Sequence, residues 1–347
     1  METHEKFEFR GSAREWFGIW IVNLLLSIVT LGVYSAWAKV RSKKYFYQNT
    51  FVAGRNFDYH ATGQQILIGR AIVVAALLVF ALSAQFLPPL AAALLIAYVA
   101  VFPVLLVRSL RFDARNSSWS NVRFDFVGKL GQLYLLIFVY PVLSILTLYT
   151  TWPFVQRAIQ RYGINNHRLG TTSFHFDSKI GPFYMAFLAA VGIVLVGVAL
   201  VAGVIFGQIT STANEALFAN PILLLNLFLS YLVILLAAAF ASVVYQAIIR
   251  NHIFAHTKLG ENKHGFVSTV KPLSLLWIAV SNLIVVLFSL GLMLPWATVR
   301  MQRYLAENSA LVPNGSLDDF TGDVLTETNA IGDAYSDIEG IELELPV

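Results

Sequence analysis

The sequence predicts an all-α polytopic membrane protein whose hydrophobic segments form pseudo-repeats and whose junctions carry short cytoplasmic β-hairpins. Three observations predict it. Of the 347 residues, 57% are apolar and only 13% charged, about half the ~25% charge of a soluble domain. Seven long apolar segments recur along the chain. A 32-residue stretch near the N-terminus returns near the C-terminus.

The apolar segments run at about 16–37, 66–86, 89–107, 130–151, 183–208, 221–249 and 274–296. Each approaches or exceeds the ~20 residues that cross a hydrocarbon core of ~30 Å. This composition excludes a disordered chain, a coiled coil and an ordinary soluble enzyme. The chain has no cysteine, which excludes disulfides, thiol nucleophiles and cysteine metal sites. The start, Met1–Lys6, lacks the basic region and short apolar core of a signal peptide, so the first segment is expected to be retained. Two regions follow. Residues 1–309 form a membrane domain holding all 24 Lys and Arg, and residues 310–347, with nine acids and no base, read as a disordered acidic tail.

The positive charges constrain topology. Arg70 lies inside the second segment, and the other 23 Lys and Arg fall in six stretches between segments. The positive-inside rule places all six in the cytoplasm. Segments two and three, and five and six, then form transmembrane hairpins. Segments one, four and seven have basic stretches at both ends. Two arrangements fit: re-entrant segments that enter, break and return, or seven ordinary spans that override the charge rule. The expected breaks are Thr30-Leu31-Gly32, Tyr140-Pro141, and Ser289-Leu290-Gly291 with Pro295, each expected to be buried in protein and not in lipid. From Trp16 to Val29 is ~21 Å of helix, too short to cross.

The terminal stretches Ile19–Thr50 and Ile278–Ser309 align without gaps and are identical at 11 of 32 positions. Shared residues include Asn23 and Asn282, Trp37 and Trp296, Arg41 and Arg300, Tyr45 and Tyr304, and Asn49 and Asn308. Partial copies carry Arg108, Phe112 and Asn116, then Tyr162 and Asn166, then His252 and His256. Spacings of four put Trp37, Arg41, Tyr45 and Asn49 on one helical stripe. Trp and Tyr suit a membrane–water interface, Arg snorkels there and stacks on an aromatic ring, and Asn suits a helix C-terminus through its tolerance of a left-handed backbone. Each copy is followed by two short runs about a Gly, Asn or Ser turn, ending in an aromatic-x-aromatic pair such as Phe57-Asp-Tyr59. These predict β-hairpins gathered into one cytoplasmic rim.

The run Leu31-Gly32-Val-Tyr34-x2-Trp37-Ala38-x-Val-Arg41-x3-Tyr45-x3-Asn49-Thr50, with Gly54 and Phe57 beyond it, resembles the signature of the YjgN family, also called domain of unknown function 898. The resemblance covers about 1–309. It implies a multi-pass protein of the bacterial inner membrane. It brings no reaction, substrate or catalytic residue.

No motif for chemistry emerges. His252-x3-His256 with nearby His264 could offer imidazoles to zinc, but without HExxH or cysteine an interfacial polar helix is the better reading, and no metal or cofactor is expected. No carboxylate lies inside an apolar segment, which argues against a proton relay. Asp58 and Asp125 sit between hairpin aromatics and face water. No G-x-S-x-G or phosphate loop occurs, so the expectation is a protein that is not an enzyme. Four intramembrane polar residues, Asn23, Arg70, Asn226 and Asn282, are the candidates for function, with helix–helix hydrogen bonding as the alternative. The basic collar suits the lipid bilayer and its anionic headgroups at the cytoplasmic face rather than nucleic acid. A homo-oligomer or a protein partner stays open. Repeats, breaks and deep polar groups together favour transport or permeation of a small molecule, ion or lipid. The alternative is a non-catalytic protein that organises the membrane or binds partners.

Overall fold

The computed structural model describes residues 4–211, 221–260, 264–322, 324 and 326. Five successive units make the body, and each reads strand, helix pair, strand. The first is β1 (Glu5–Phe9), α1 (Ala13–Val29), α2 (Ser35–Gln48) and β2 (Thr50–Val52). The second is β3 (Arg55–Tyr59), α3 (Gly63–Phe86), α4 (Pro88–Arg115) and β4 (Ser117–Trp119). In the third, β5 (Val122–Phe126) leads to α5 (Leu130–Tyr134), which runs through a π-helical stretch, Leu135–Val139, into α6 (Tyr140–Leu146). Then come α7 (Trp152–Asn165) and β6 (His167–Leu169). The fourth is β7 (Thr172–Phe176), α8 (Gly181–Ser211), α9 (Pro221–His256) and β8 (Thr257–Leu259). The fifth is β9 (His264–Ser268), α10 (Pro272–Phe288), α11 (Leu294–Glu307) and β10 (Ser309–Val312).

The ten strands close into one antiparallel barrel in the order β1-β10-β9-β8-β7-β6-β5-β4-β3-β2. "All-α" was therefore too narrow. The hairpins are joined edge to edge, and β1, expected as a lone strand, pairs with both β2 and β10. Closure removes the unpaired edges that isolated hairpins would expose.

The register repeats from unit to unit. Phe7 faces Val52, Phe57 faces Trp119, Phe124 faces Leu169, Phe174 faces Leu259, and Phe266 faces Leu311. Period-2 alternation puts these ten side chains on one face. Val52, Trp119, Leu169, Leu259 and Leu311 are buried in one cluster, with the five phenylalanines packed against it. Four ring pairs run round the circle with centroids 6.2–6.4 Å apart, from Phe7 through Phe57, Phe124 and Phe174 to Phe266. The result is an apolar girdle across the lumen.

Helix lengths divide the units into two kinds. Units two and four hold helices long and apolar enough to cross a membrane: Gly63–Phe86, Pro88–Arg115, Gly181–Gly207 and Leu225–His256. In units one, three and five the outgoing helix has 17 residues (Ala13–Val29, Leu130–Leu146, Pro272–Phe288) and the returning helix 14. Seventeen residues are only ~25 Å of helix. Both ends of each short pair attach to barrel strands, so the pair leaves the barrel and returns to it.

The turns at the tips fall at 30–34, 147–151 and 289–293. Two lie at the expected breaks, and the third does not. Tyr140-Pro141 continues the helix, because the π-helical stretch just before it takes up the backbone displaced by the proline ring. The turn comes instead at Thr147-Leu148-Tyr149, where Leu148 and Tyr149 take φ of 51° and 63°. Leu31 and Leu290 have matching φ of 48° and 50°, each followed by a glycine at 88°. The carbonyls left at the helix ends are met by backbone amides: Gly32 to Ser27 at 2.7 Å, Gly291 to Val286 at 2.8 Å and Tyr149 to Ser144 at 2.6 Å. Each tip carries a leucine at least 86% exposed.

The aromatic-x3-Asn stripe locks helices to strands. In the short units its tyrosine reaches back 33 residues to the start of the outgoing helix. The Ser12 amide donates to the Tyr45 hydroxyl at 2.8 Å, the Tyr162 hydroxyl donates to the Lys129 carbonyl at 3.3 Å, and the Lys271 amide donates to the Tyr304 hydroxyl at 3.0 Å. Asn49, Asn116, Asn166 and Asn308 cap their helices, but not through a left-handed backbone, since their φ values lie between −90° and −99°. Each amide donates 2.8 Å to the carbonyl four residues earlier, on Tyr45, Phe112, Tyr162 and Tyr304. At Tyr45, Phe112 and Tyr304 that carbonyl also accepts from the backbone amide of the same asparagine, so each Asn clamps the last turn through two donors.

The tail boundary expected at 310 falls inside β10. Residues 317–322 are helical, and Leu317, Phe320 and Val324 pack against the girdle from outside the helix bundle. Arg55 ties this segment down through an ion pair with Asp318 and a 2.7 Å hydrogen bond to Thr321 Oγ1. The remainder of the tail, 327–347, lies outside the described residues.

Candidate functional site

A chamber of about 1240 Å³ opens on the bundle side of the girdle. All ten girdle residues form its floor. Its walls are single stripes of four helices: Trp152, Gln156, Gln160 and Ile164 on α7; Ser242, Gln246, Ile249, Arg250 and Ile253 on α9; Leu275 and Ala279 on α10; Met301 and Leu305 on α11. Spacings of three and four put each set on one face. Ordinary ligand pockets hold ~300–1,000 Å³, so the space suits a long or flexible molecule. A second, apolar groove of about 310 Å³ between α7, α8 and α9 shares Trp152, Ser242 and Tyr245 with the chamber.

The polar groups of the chamber are few. Gln246 Nε2 donates to Ser242 Oγ at 2.9 Å. Arg250 is the sole fully charged side chain among the chamber-lining residues. Its Nη2 donates to Ser309 Oγ at 3.1 Å, and its guanidinium lies 4.5 Å over the Phe254 ring. Its Nε and the Tyr245 hydroxyl are buried without hydrogen-bond partners. Arg250 appears in no ion pair among the described residues.

The expected candidates lie elsewhere, and the structure does not bring them together. Asn282 donates to the Ala297 carbonyl at 3.0 Å and accepts from Arg300, which also donates to Ser281 Oγ at 2.7 Å. Arg300 stacks 5.1 Å over Trp296, as its spacing implied. Its repeat mate Asn23 is 5% exposed, and neither of its amide atoms has a partner. Arg70 donates to Ser35 Oγ at the first turn, and that hydroxyl donates to the Gly32 carbonyl. Arg70 thus anchors the tip rather than lining the chamber. Asn226 is half-buried on α9, away from the chamber lining. Trp37 packs on the start of α3, where a Cβ on Gly63 would come within 2.4 Å of its ring. Arg41 and Arg108 are exposed.

Asp125 accepts from Arg115 Nε at 2.8 Å. Burial pushes its carboxyl up, but the Arg115 and Phe126-amide hydrogen bonds outweigh that and hold it below its ordinary range. Asp58 accepts from Gln48 at 3.0 Å. Both are tied to helix ends on the barrel wall. His252 shares a 2.5 Å hydrogen bond with Ser178 Oγ, and His264 packs on Phe320 at 4.6 Å. No three potential ligands of a metal converge among the described residues.

Sequence reasoning missed Gln156, Gln160, Tyr245, Gln246 and Arg250. A signal was present: two glutamines four apart on α7, and Gln246 with Arg250 four apart near the C-terminal end of α9.

A family model described as "Bacterial protein of unknown function (DUF898)" matches residues 4–338. The chain is 24% identical to the inner membrane protein YjgN of Escherichia coli O157:H7, across 90% of this chain and 89% of that protein. It is 24% identical to the YjgN of Escherichia coli K12 across the same shares. It is 30% identical to the YjgN of Salmonella typhimurium across 41% of this chain and 36% of that one. No solved structure matches.

Proposed function

The chain belongs to the DUF898 family of bacterial proteins, and from that premise we propose that it is a non-catalytic, multi-pass inner-membrane protein through which a small amphipathic molecule passes between bilayer and cytoplasm. The observation that carries this reading is the single chamber reaching from four helix faces to the barrel girdle. Its apolar groove between α7, α8 and α9 supplies a way in from the lipid.

The membrane placement follows from charge and length. Units two and four cross. The short pairs of units one, three and five dip in, present their leucine tips to hydrocarbon, and return. Amides of their turns, among them those of Gly32, Tyr149 and Gly291, find partners within the helix ends, which lowers the cost that the bilayer puts on broken backbone. The barrel, carrying the basic hairpins and flanked by the arginine collar, then sits in the cytoplasm against anionic headgroups. We read the five units as internal repeats. The native chain lacks cysteine, so topology can be read directly. Single cysteines at the exposed Asn56, Asn121 and Arg168 should resist an impermeant thiol reagent in intact cells and react after lysis. Reaction of any of them in intact cells would overturn the placement.

Passage is tested in vesicles. The reconstituted protein should speed the transfer of a fluorescent single-chain amphiphile from the bilayer to an aqueous albumin acceptor several-fold over empty vesicles, as read by the loss of vesicle fluorescence. Ala279→Trp, which fills the chamber, should return the rate to that of empty vesicles. Equal rates for the variant and the native protein would sink the chamber as the route.

A further inference from the structure

We propose that the chamber's ligand is a single-chain anionic amphiphile, with its carboxylate or phosphate head at Arg250 and its hydrocarbon chain along the apolar wall. This deepens the reading above and rests on the same chamber. Three observations carry it.

The first is charge without compensation. The lining holds no Asp, Glu or Lys. A guanidinium in a largely apolar enclosure loses hydration, and that loss is made up only by a partner of opposite sign. Arg250 finds a hydroxyl, Ser309 Oγ at 3.1 Å, and the face of the Phe254 ring. Neither neutralises it, and its Nε points at no acceptor. An anionic head would take up that donor, and arginine's planar fork matches carboxylate and phosphate alike.

The second is a further unsatisfied donor on the same wall. The Tyr245 hydroxyl, five residues before Arg250 on α9, is buried and unpartnered as well. Both groups line the chamber. The third is the shape of the rest. From Arg250 the wall continues through Ile249, Ile253, Leu275, Met301 and Leu305 to the phenylalanine girdle, a surface suited to an alkyl chain and not to a sugar or a nucleotide. The groove past Phe187, Val191 and Leu195 opens this space sideways, as a molecule drawn from a leaflet would need.

The test is equilibrium binding to the full chain in nanodiscs, using radiolabelled palmitate, palmitoyl lysophosphatidate and hexadecanol. The two anions should bind at least about tenfold more tightly than the chain-matched alcohol. Binding of palmitate alone, or of lysophosphatidate alone, would support the proposal and identify the head as carboxylate or phosphate. Arg250→Gln should weaken the anions to the level of hexadecanol while leaving hexadecanol unchanged, which also shows that the variant is folded. Arg250→Lys should recover part of the loss. If hexadecanol binds as tightly as the anions and Arg250→Gln changes nothing, the anionic head is refuted and the chamber stands. If no probe binds the native chain and Ala279→Trp behaves identically, the chamber reading itself fails.

Discussion

A chain ending at Asn308 will not accumulate as a folded membrane protein, whereas one ending at Thr326 will accumulate like the full chain. The difference is β10 together with the 317–322 helix that packs on the girdle, and β10 carries most of it. This strand pairs with β9 over Ser309–Val312 and with β1 at Ala310 and Leu311. Removing it strips backbone hydrogen bonds from both neighbours, each worth ~0.5–1.5 kcal/mol net. It also removes the buried Leu311 from the girdle, a further ~1.5–3 kcal/mol. The sum rivals the ~5–15 kcal/mol of net stability of a typical domain, and the two bared edges invite aggregation. Immunoblots of the membrane fraction and size-exclusion profiles in detergent check this. Equal yield and equal melting for both truncations would mean that closure contributes little.

Gly128→Ala will lower the melting temperature sharply, while Gly131→Ala three residues on will leave it unchanged or raise it. A Cβ at Gly128 would lie 2.4 Å from Phe126 Cε1 and 2.4 Å from the Tyr162 hydroxyl. Neither ring has room to retreat, since Phe126 is fully buried and Tyr162 nearly so, in a cluster with Val107 and Leu133. Overpacking of this kind costs about 3 kcal/mol. Nothing lies within 4 Å of a Cβ on Gly131, and there the smaller backbone entropy of alanine helps by ~0.4–1 kcal/mol. Gly11 is the counterpart of Gly128 in the first unit, with Phe9 Cζ at 2.7 Å and the Tyr45 hydroxyl at 2.8 Å. Gly11→Ala should therefore behave in the same way. Thermal unfolding in detergent gives the comparison, and equal midpoints for Gly128→Ala and Gly131→Ala would refute the packing argument.

Much of the helical layout could be read from local pattern. The four long helices follow from hydropathy over windows of their own length. The short pairs follow from the conflict between length and charge, and two of their turns from a glycine able to take positive φ. The third turn was hidden because Leu148 and Tyr149 adopt that conformation without a glycine, while Pro141 looked like a breaker. Closure of the barrel was out of reach of any local signal. Three-residue strands such as Thr50–Val52 carry almost no periodicity, and β1 meets β10 across some 300 residues. The hairpin aromatics showed that strands exist but not that their first aromatic residues face a common lumen. The chamber was missed for a different reason. Depth within a hydrophobic segment singles out Asn23 and Asn282. Enclosure depends instead on which faces of α7, α9, α10 and α11 converge, and that is set by the barrel.

Long and short units alternate through the sequence, but five is odd, and a closed ring of five cannot alternate all the way round. The mismatch falls where the fifth unit meets the first, with α11 packed beside α1. There two short pairs stand side by side. On the membrane placement proposed above, the protein is lopsided in a bilayer. Every other boundary between units has a crossing pair on one side, whereas at this seam, on the same placement, protein fills only the leaflet nearer the barrel. Lipids of the opposite leaflet must close over the leucine tips, at the elastic cost of a hydrophobic mismatch confined to one sector. On that placement the sector sets the direction in which the molecule would lean, and the side on which a thinner membrane would suit it best.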